Sequence, residues 1–139
     1  MDNRLFGCLL FSLALCAGCA HQSYEGDTKS TEETAVINDS YTGSMRSDRA
    51  QILAVDGDSF GGARPEQVDV LPGEHSVSIY CWHGFFARDR HGLQGRVGSV
   101  SFDAQAGHEY QVFCSTSNGR YVRWITDLAT DEIVGGKKP

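Results

Sequence analysis

The sequence predicts an all-β fold for residues 49–139, a small antiparallel sandwich or barrel of about six to eight strands. Three observations point there. Short runs alternate apolar and polar residues, as in Gln67-Val68-Asp69-Val70 and Ser76-Val77-Ser78-Ile79-Tyr80-Cys81, and a period of two sorts side chains onto the two faces of a strand. Turn signals such as Asp56-Gly57, Pro72-Gly73 and Asn118-Gly119 separate the runs. No stretch of ten residues keeps a helical period.

The chain opens with an export signal. Arg4 precedes an apolar run over residues 5–16, interrupted only by Gly7 and Ser12, which ends in the small residues Ala17 and Gly18. The run is well short of the ~20 apolar residues that a membrane-spanning helix takes. Small residues leading directly into Cys19 resemble the lipobox of bacterial lipoproteins, whose cysteine is acylated and becomes the first residue of the mature chain. Cys16 competes for that role, but Leu15 before it is bulky where the family has Gly, Ala or Ser. Cys16 itself stands three places before Cys19, where the family has Leu, Val or Ile. A plain secreted protein cut nearby is the other reading. The resemblance implies removal of residues 1–18 and acyl chains, palmitate among them, on Cys19. More than one chain, at ~0.8 kcal/mol per buried methylene, makes a stable membrane anchor. Ala20 rather than Asp follows the cysteine, which in that family implies sorting to the outer membrane, facing the periplasm, with exposure at the cell surface left open.

Residues 19–48 are rich in Ser, Thr, Glu, Asp, Gly and Asn and predict a lipidated, flexible tether with a reach on the order of 30 Å. Its one apolar patch, Ala35-Val36-Ile37, is alternatively a short edge strand.

Strands are expected over residues 50–55, 68–71, 77–81, 97–103, 109–115 and 121–126, with a last short one at 132–134. Pro72-Gly73 suits the centre of a type II turn and predicts a hairpin between the second and third of these. A turn or so of helix is the expectation near residues 126–130. The runs Val55-Asp56-Gly57 and 68–80, with Gly84-Phe85 after them, resemble PEGA-type small β-sandwich repeats of bacterial envelope proteins. That resemblance implies a sandwich of the immunoglobulin or transthyretin kind and carries no catalytic residues.

Cys8 and Cys16 leave with the signal and Cys19 takes lipid, so Cys81 and Cys114 remain. Each shares a strand face with apolar residues, Val77 and Ile79 in one case, Tyr110 and Val112 in the other, so both thiols can enter one core. In an oxidising compartment they are expected to form a disulfide, closing a loop of about 34 residues. A metal site or reactive thiol is the rival reading; two cysteines outside any C-x-x-C pair make an incomplete zinc shell.

The net charge of −6, with no Lys/Arg block, argues against nucleic-acid binding. The segment 81–95, CWHGFFARDRHGLQG, is the richest in recognition chemistry: Trp82, His83, Phe85, Phe86, Arg88, Arg90 and His91 form a candidate binding loop, since aromatic residues and Arg anchor interfaces. The alternative is that Phe85 and Phe86 cap an open end of the core. Neither His21, His75, His83, His91 nor His108 belongs to an H-x-H or H-E-x-x-H pair. Asp56, Asp58 and Glu66 share one predicted loop and read as solvated acids. Residues 115–121, STSNGRY, are similar to the serine-rich segment of lysozyme inhibitors of the bacterial envelope, although Asn-Gly is also a preferred two-residue hairpin turn.

The sequence thus reads as a non-enzymatic envelope lipoprotein: no catalytic residues, metal ligands or cofactor, a membrane partner through its lipid, and a protein or cell-wall partner for its domain. An inhibitor of a lysozyme-like cell-wall hydrolase, or a metal-dependent envelope enzyme, are the alternatives.

Overall fold

Val77, Ile79 and Cys81 are fully buried while Ser76, Ser78 and Tyr80 between them keep contact with solvent, the alternation of a strand in a two-layered structure. The computed structural model describes residues 21–40, 48–83 and 95–139. In chain order the strands are β1 (His21–Gln22), β2 (Ala35–Asn38), β3 (Asp48–Val55), β4 (Asp58–Ser59), β5 (Gln67–Val70), β6 (Gly73–His83), β7 (Arg96–Ala104), β8 (Glu109–Ser117), β9 (Arg120–Asp127) and β10 (Ile133–Gly136). They form a six-stranded sheet of order β1-β5-β2-β8-β9-β10 and a four-stranded sheet of order β4-β3-β6-β7. The all-β sandwich expected from the sequence is therefore the fold, built as two separate sheets rather than a closed barrel.

The core lies between the layers. Ile52, Val55, Val77, Ile79, Val100 and Phe102 meet Ile37, Val68, Val70, Tyr110, Val112 and Ile125, all buried in one cluster. Tyr110 is 1% exposed and packs edge-on against Phe102, ring centres 4.8 Å apart. Burial of each such side chain stabilises the fold by about 1.5–3 kcal/mol relative to exposure.

Four expectations need correction. Residues 21–40 are not a tether. Ala35, Val36 and Ile37 are at most 5% exposed, and β2 lies inside its sheet, antiparallel to β5 (Ile37 beside Val68) and parallel to β8 (Ile37 beside Tyr110). Four residues suffice because three of them are apolar and both their edges are paired. The sheet is consequently mixed, with β1 and β5 also parallel, rather than purely antiparallel. Second, β5 and β6 are not a hairpin. They belong to different sheets, and Gly73, at φ 130°, swings the chain from one layer to the other at Pro72-Gly73. Third, β3 does not alternate throughout: a bulge between Ile52 and Ala54 brings both Ile52 and Val55 onto the buried side. Fourth, no helix occurs among the described residues. Thr126 and Asp127 finish β9, and the Asp127 carboxylate accepts the Ala129 N–H at 2.8 Å, drawing the chain into a turn.

Two turns behave as their sequences predict. Asp56-Gly57 joins β3 to β4 with φ of 53° and 88°, and Asn118-Gly119 joins β8 to β9 with φ of 49° and 72°, the left-handed pairs that two-residue hairpins require.

Candidate functional site

Alternation in β6 turns Tyr80 and Trp82 away from the core, because Ile79 and Cys81 face inward. Their rings stack with centres 5.3 Å apart at 29°. Tyr80 stands beside Val97 of β7, which is 59% exposed, and beside Gln51 of β3; Trp82 pairs with Arg49. The Tyr80 ring also lies over Gly95, where any side chain would collide with it. These residues make an aromatic end on the outer face of the four-stranded sheet. Toward the other end the same face becomes a hydroxyl stripe of Ser76, Ser78, Ser99 and Ser101, with Ser78 and Ser99 joined Oγ to Oγ at 3.2 Å.

Of the candidate binding loop, Trp82 is placed as above and His83 is the last residue of β6, paired with Asp48. Phe85, Phe86, Arg88, Arg90 and His91 lie outside the described residues, as does Cys19.

Behind the aromatic end, Cys81 and Cys114 meet in the core. Both are buried and both are thiols in this structure, where the sequence predicts a bridge. The Cys114 thiol donates to the Arg49 carbonyl at 3.0 Å. Its hydrogen-bond contact with Cys81, together with burial, pushes the Cys114 thiol well above the ordinary range. A thiol so raised is a poor nucleophile and a poor metal ligand at neutral pH.

Arg123 is a part of this region that the pattern reading passed over. It shares the inward phase of Tyr121 and Ile125, and a cation on an apolar face was the available signal. Its guanidinium crosses between the layers: Nε donates to the Ile79 carbonyl at 3.1 Å and Nη2 to the Arg96 carbonyl at 2.5 Å. Gly98 makes the room, since a Cβ there would lie 2.6 Å from the guanidinium.

Two histidines have carboxylate partners that spacing did not reveal. His75 Nδ1 lies 2.7 Å from Asp56 Oδ2, and its Nε2 lies 2.6 Å from the Leu71 carbonyl, while Asp56 Oδ1 accepts the Ser76 N–H at 2.8 Å. His108 Nδ1 lies 2.6 Å from Asp127 Oδ2 at the start of β8. Each pair fastens a turn to a strand, and among the described residues no serine, threonine or cysteine hydroxyl or thiol is hydrogen-bonded to either imidazole. Asp58 and Glu66 are exposed, as the solvated-loop reading expects. Among the described residues no three His, Cys, Asp or Glu side chains converge as a metal site would need. A shallow hollow of about 200 Å³ at the β1 edge is lined by residues 21–25, Asp58, Ser59 and Phe60. Residues 115–121 form the tip of the β8–β9 hairpin, with Ser117 opposite Arg120, so the similarity to an inhibitor segment falls on a tight turn.

The fold and this surface define a two-sheet β domain with an aromatic outer face. No protein family model, curated protein or solved structure matches the chain.

Proposed function

We propose that the protein is a non-enzymatic lipoprotein of the bacterial envelope, anchored by acyl groups on Cys19 in the outer membrane and presenting its β domain to a protein or cell-wall partner in the periplasm. The observation that carries this reading is the sequence Ala17-Gly18-Cys19 closing an apolar run of export-signal length. The stacked Tyr80 and Trp82 beside exposed Val97 support a binding role for the aromatic end. Rigid aromatics on a sheet are a low-entropy contact surface, and anchor residues of interfaces are enriched in them.

The test is metabolic labelling with an alkyne-bearing palmitate analogue, followed by membrane fractionation. Wild type is expected to carry label and to sediment with membranes, and Cys19→Ser to do neither. Unlabelled wild-type protein in the soluble periplasmic fraction would overturn the reading.

A further inference from the structure

The lipid anchor and the folded domain are closer together than the composition of the N-terminal segment suggests. His21 is already in β1, beside Val68; its ring packs edge-on against Phe60 at 4.5 Å, and Ser23 donates from both backbone N and Oγ to the Asp69 carbonyl at 3.0 Å. Position 21 is thus fixed to the body of the domain. Between it and Cys19 lie two residue steps, which span at most ~7 Å of fully extended chain.

We infer that the domain sits flush on the lipid surface, with the β1 edge against the headgroups and the β10 edge facing away. This rests on the lipoprotein reading and adds to it an orientation. In place of a leash of some thirty ångströms, the acylated residue holds one named edge at the bilayer. The hollow beside that edge is lined by Glu25 and Asp58 and, among its described lining residues, by no Lys or Arg, so the hollow itself does not hold the domain to anionic lipid. The short covalent connection seats the domain. β1 and β10 are opposite edges of a six-stranded sheet, so the β10 edge stands five strand spacings away, about 24 Å at ~4.8 Å each. The aromatic end and serine stripe of the other sheet then run beside the membrane rather than into it.

Fluorophores at single introduced cysteines test this in the full acylated protein. Acylation blocks Cys19 and burial shields Cys81 and Cys114, so Asp58→Cys and Ile133→Cys can each be labelled selectively. Asp58 is 37 positions along the chain from His21 and is brought to the same hollow only by the fold. In phosphatidylethanolamine/phosphatidylglycerol vesicles carrying a nitroxide-headgroup lipid, the label at 58 is expected to be quenched several-fold more than the label at 133. A Gly/Ser insertion of about ten residues between Ala20 and His21 adds a mean reach of ~17 Å and should erase most of that difference. Equal quenching at the two positions in protein whose intact mass includes the acyl groups would overturn the seating and leave the lipoprotein reading standing. An unmodified Cys19 in the membrane-extracted protein would overturn both.

Discussion

Arg123 on β9 donates to the carbonyl of Ile79 on β6 at 3.1 Å, so a charged side chain of one sheet satisfies a backbone acceptor of the other. Arg123→Ala leaves that carbonyl and the Arg96 carbonyl without this donor, and is expected to cost about 2–4 kcal/mol in urea unfolding. Gly98→Val should be destabilising for the same reason, because its side chain occupies the path of the guanidinium. An Arg123→Ala protein as stable as wild type would show that the clasp is dispensable.

Acid should weaken the domain through Asp56 and Asp127. Burial pushes both carboxyls up, but it is outweighed at Asp56 by the Ser76 N–H and His75, and at Asp127 by His108 with the Ala129 and Thr130 N–H groups. Both carboxyls are therefore held below the usual carboxylate range, and the folded chain releases these protons more readily than the unfolded one. Their stabilisation is complete above the ordinary carboxylate pKa and is lost as pH falls through the depressed folded values. Urea midpoints are expected to fall below about pH 5, and Asp56→Asn/Asp127→Asn to be less stable at neutral pH with a shallower acid decline. Asp69 carries the opposite sign: burial raises its pKa, so its ionised form opposes folding. Asp69→Asn should raise the neutral-pH midpoint, with the gain shrinking toward acid.

Cys81 and Cys114 meet in one core, and an oxidising periplasm is expected to join them, with loss of one hydrogen from each thiol to a disulfide oxidant, a mass decrease of about 2 Da. The raised Cys114 pKa keeps the thiolate scarce in the folded domain, so the bond should form before the core closes. Cys81→Ser is then expected to lose about 2–4 kcal/mol relative to the oxidised protein. Two alkylated cysteines in denatured protein from the periplasm would refute the bridge.

If the aromatic end is the proposed binding surface, Trp82→Ala should sharply reduce crosslinking of a photoreactive residue placed at Val97 to a captured envelope protein, with the urea midpoint little changed. Trp82 faces away from the core, and its ring contact is with Tyr80. A large loss of stability would show that the ring is structural.

A protein trimmed to residues 49–139 should fail to fold cooperatively. It lacks β2, and so leaves bare the edges of β5 and β8 that β2 joins. Size-exclusion chromatography is expected to show aggregates for 49–139 and a discrete species for 21–139.

That last comparison marks where the sequence was readable and where it was not. Val77, Ile79 and Cys81, and likewise Tyr110, Val112 and Cys114, announce their strands because period-two alternation runs through them. Asp56-Gly57 and Asn118-Gly119 announce their turns because few residues accept a positive φ. Ala35, Val36 and Ile37 are a run too short to show a period, and what makes them a strand is pairing with residues far along the chain. Pro72-Gly73 marks a change of chain direction, at a bend rather than the expected type II turn, and such a signal does not say whether the chain comes back along the same sheet. Arg123 shows in the sequence only as a cation on an apolar face; its partners are carbonyls, which leave no trace in a side-chain pattern. At the candidate site, the meeting of the two cysteines followed from strand phase, whereas Trp82, read as a loop residue beyond a strand ending at Cys81, instead continues β6, and the His75–Asp56 and His108–Asp127 pairs depend on which turn lands beside which strand.

The placement of β2 also bears on when this protein can fold. Ile37 lies beside Tyr110, more than seventy positions further on, and this parallel pairing is at the middle of the larger sheet. The entropy of closing so long a loop must be met before the contact repays it, which places the domain among slow-folding topologies. An emerging chain therefore cannot complete its central sheet until β8 has been delivered, and export before that point, as the proposed lipoprotein reading requires, would meet a chain whose larger sheet is still unformed.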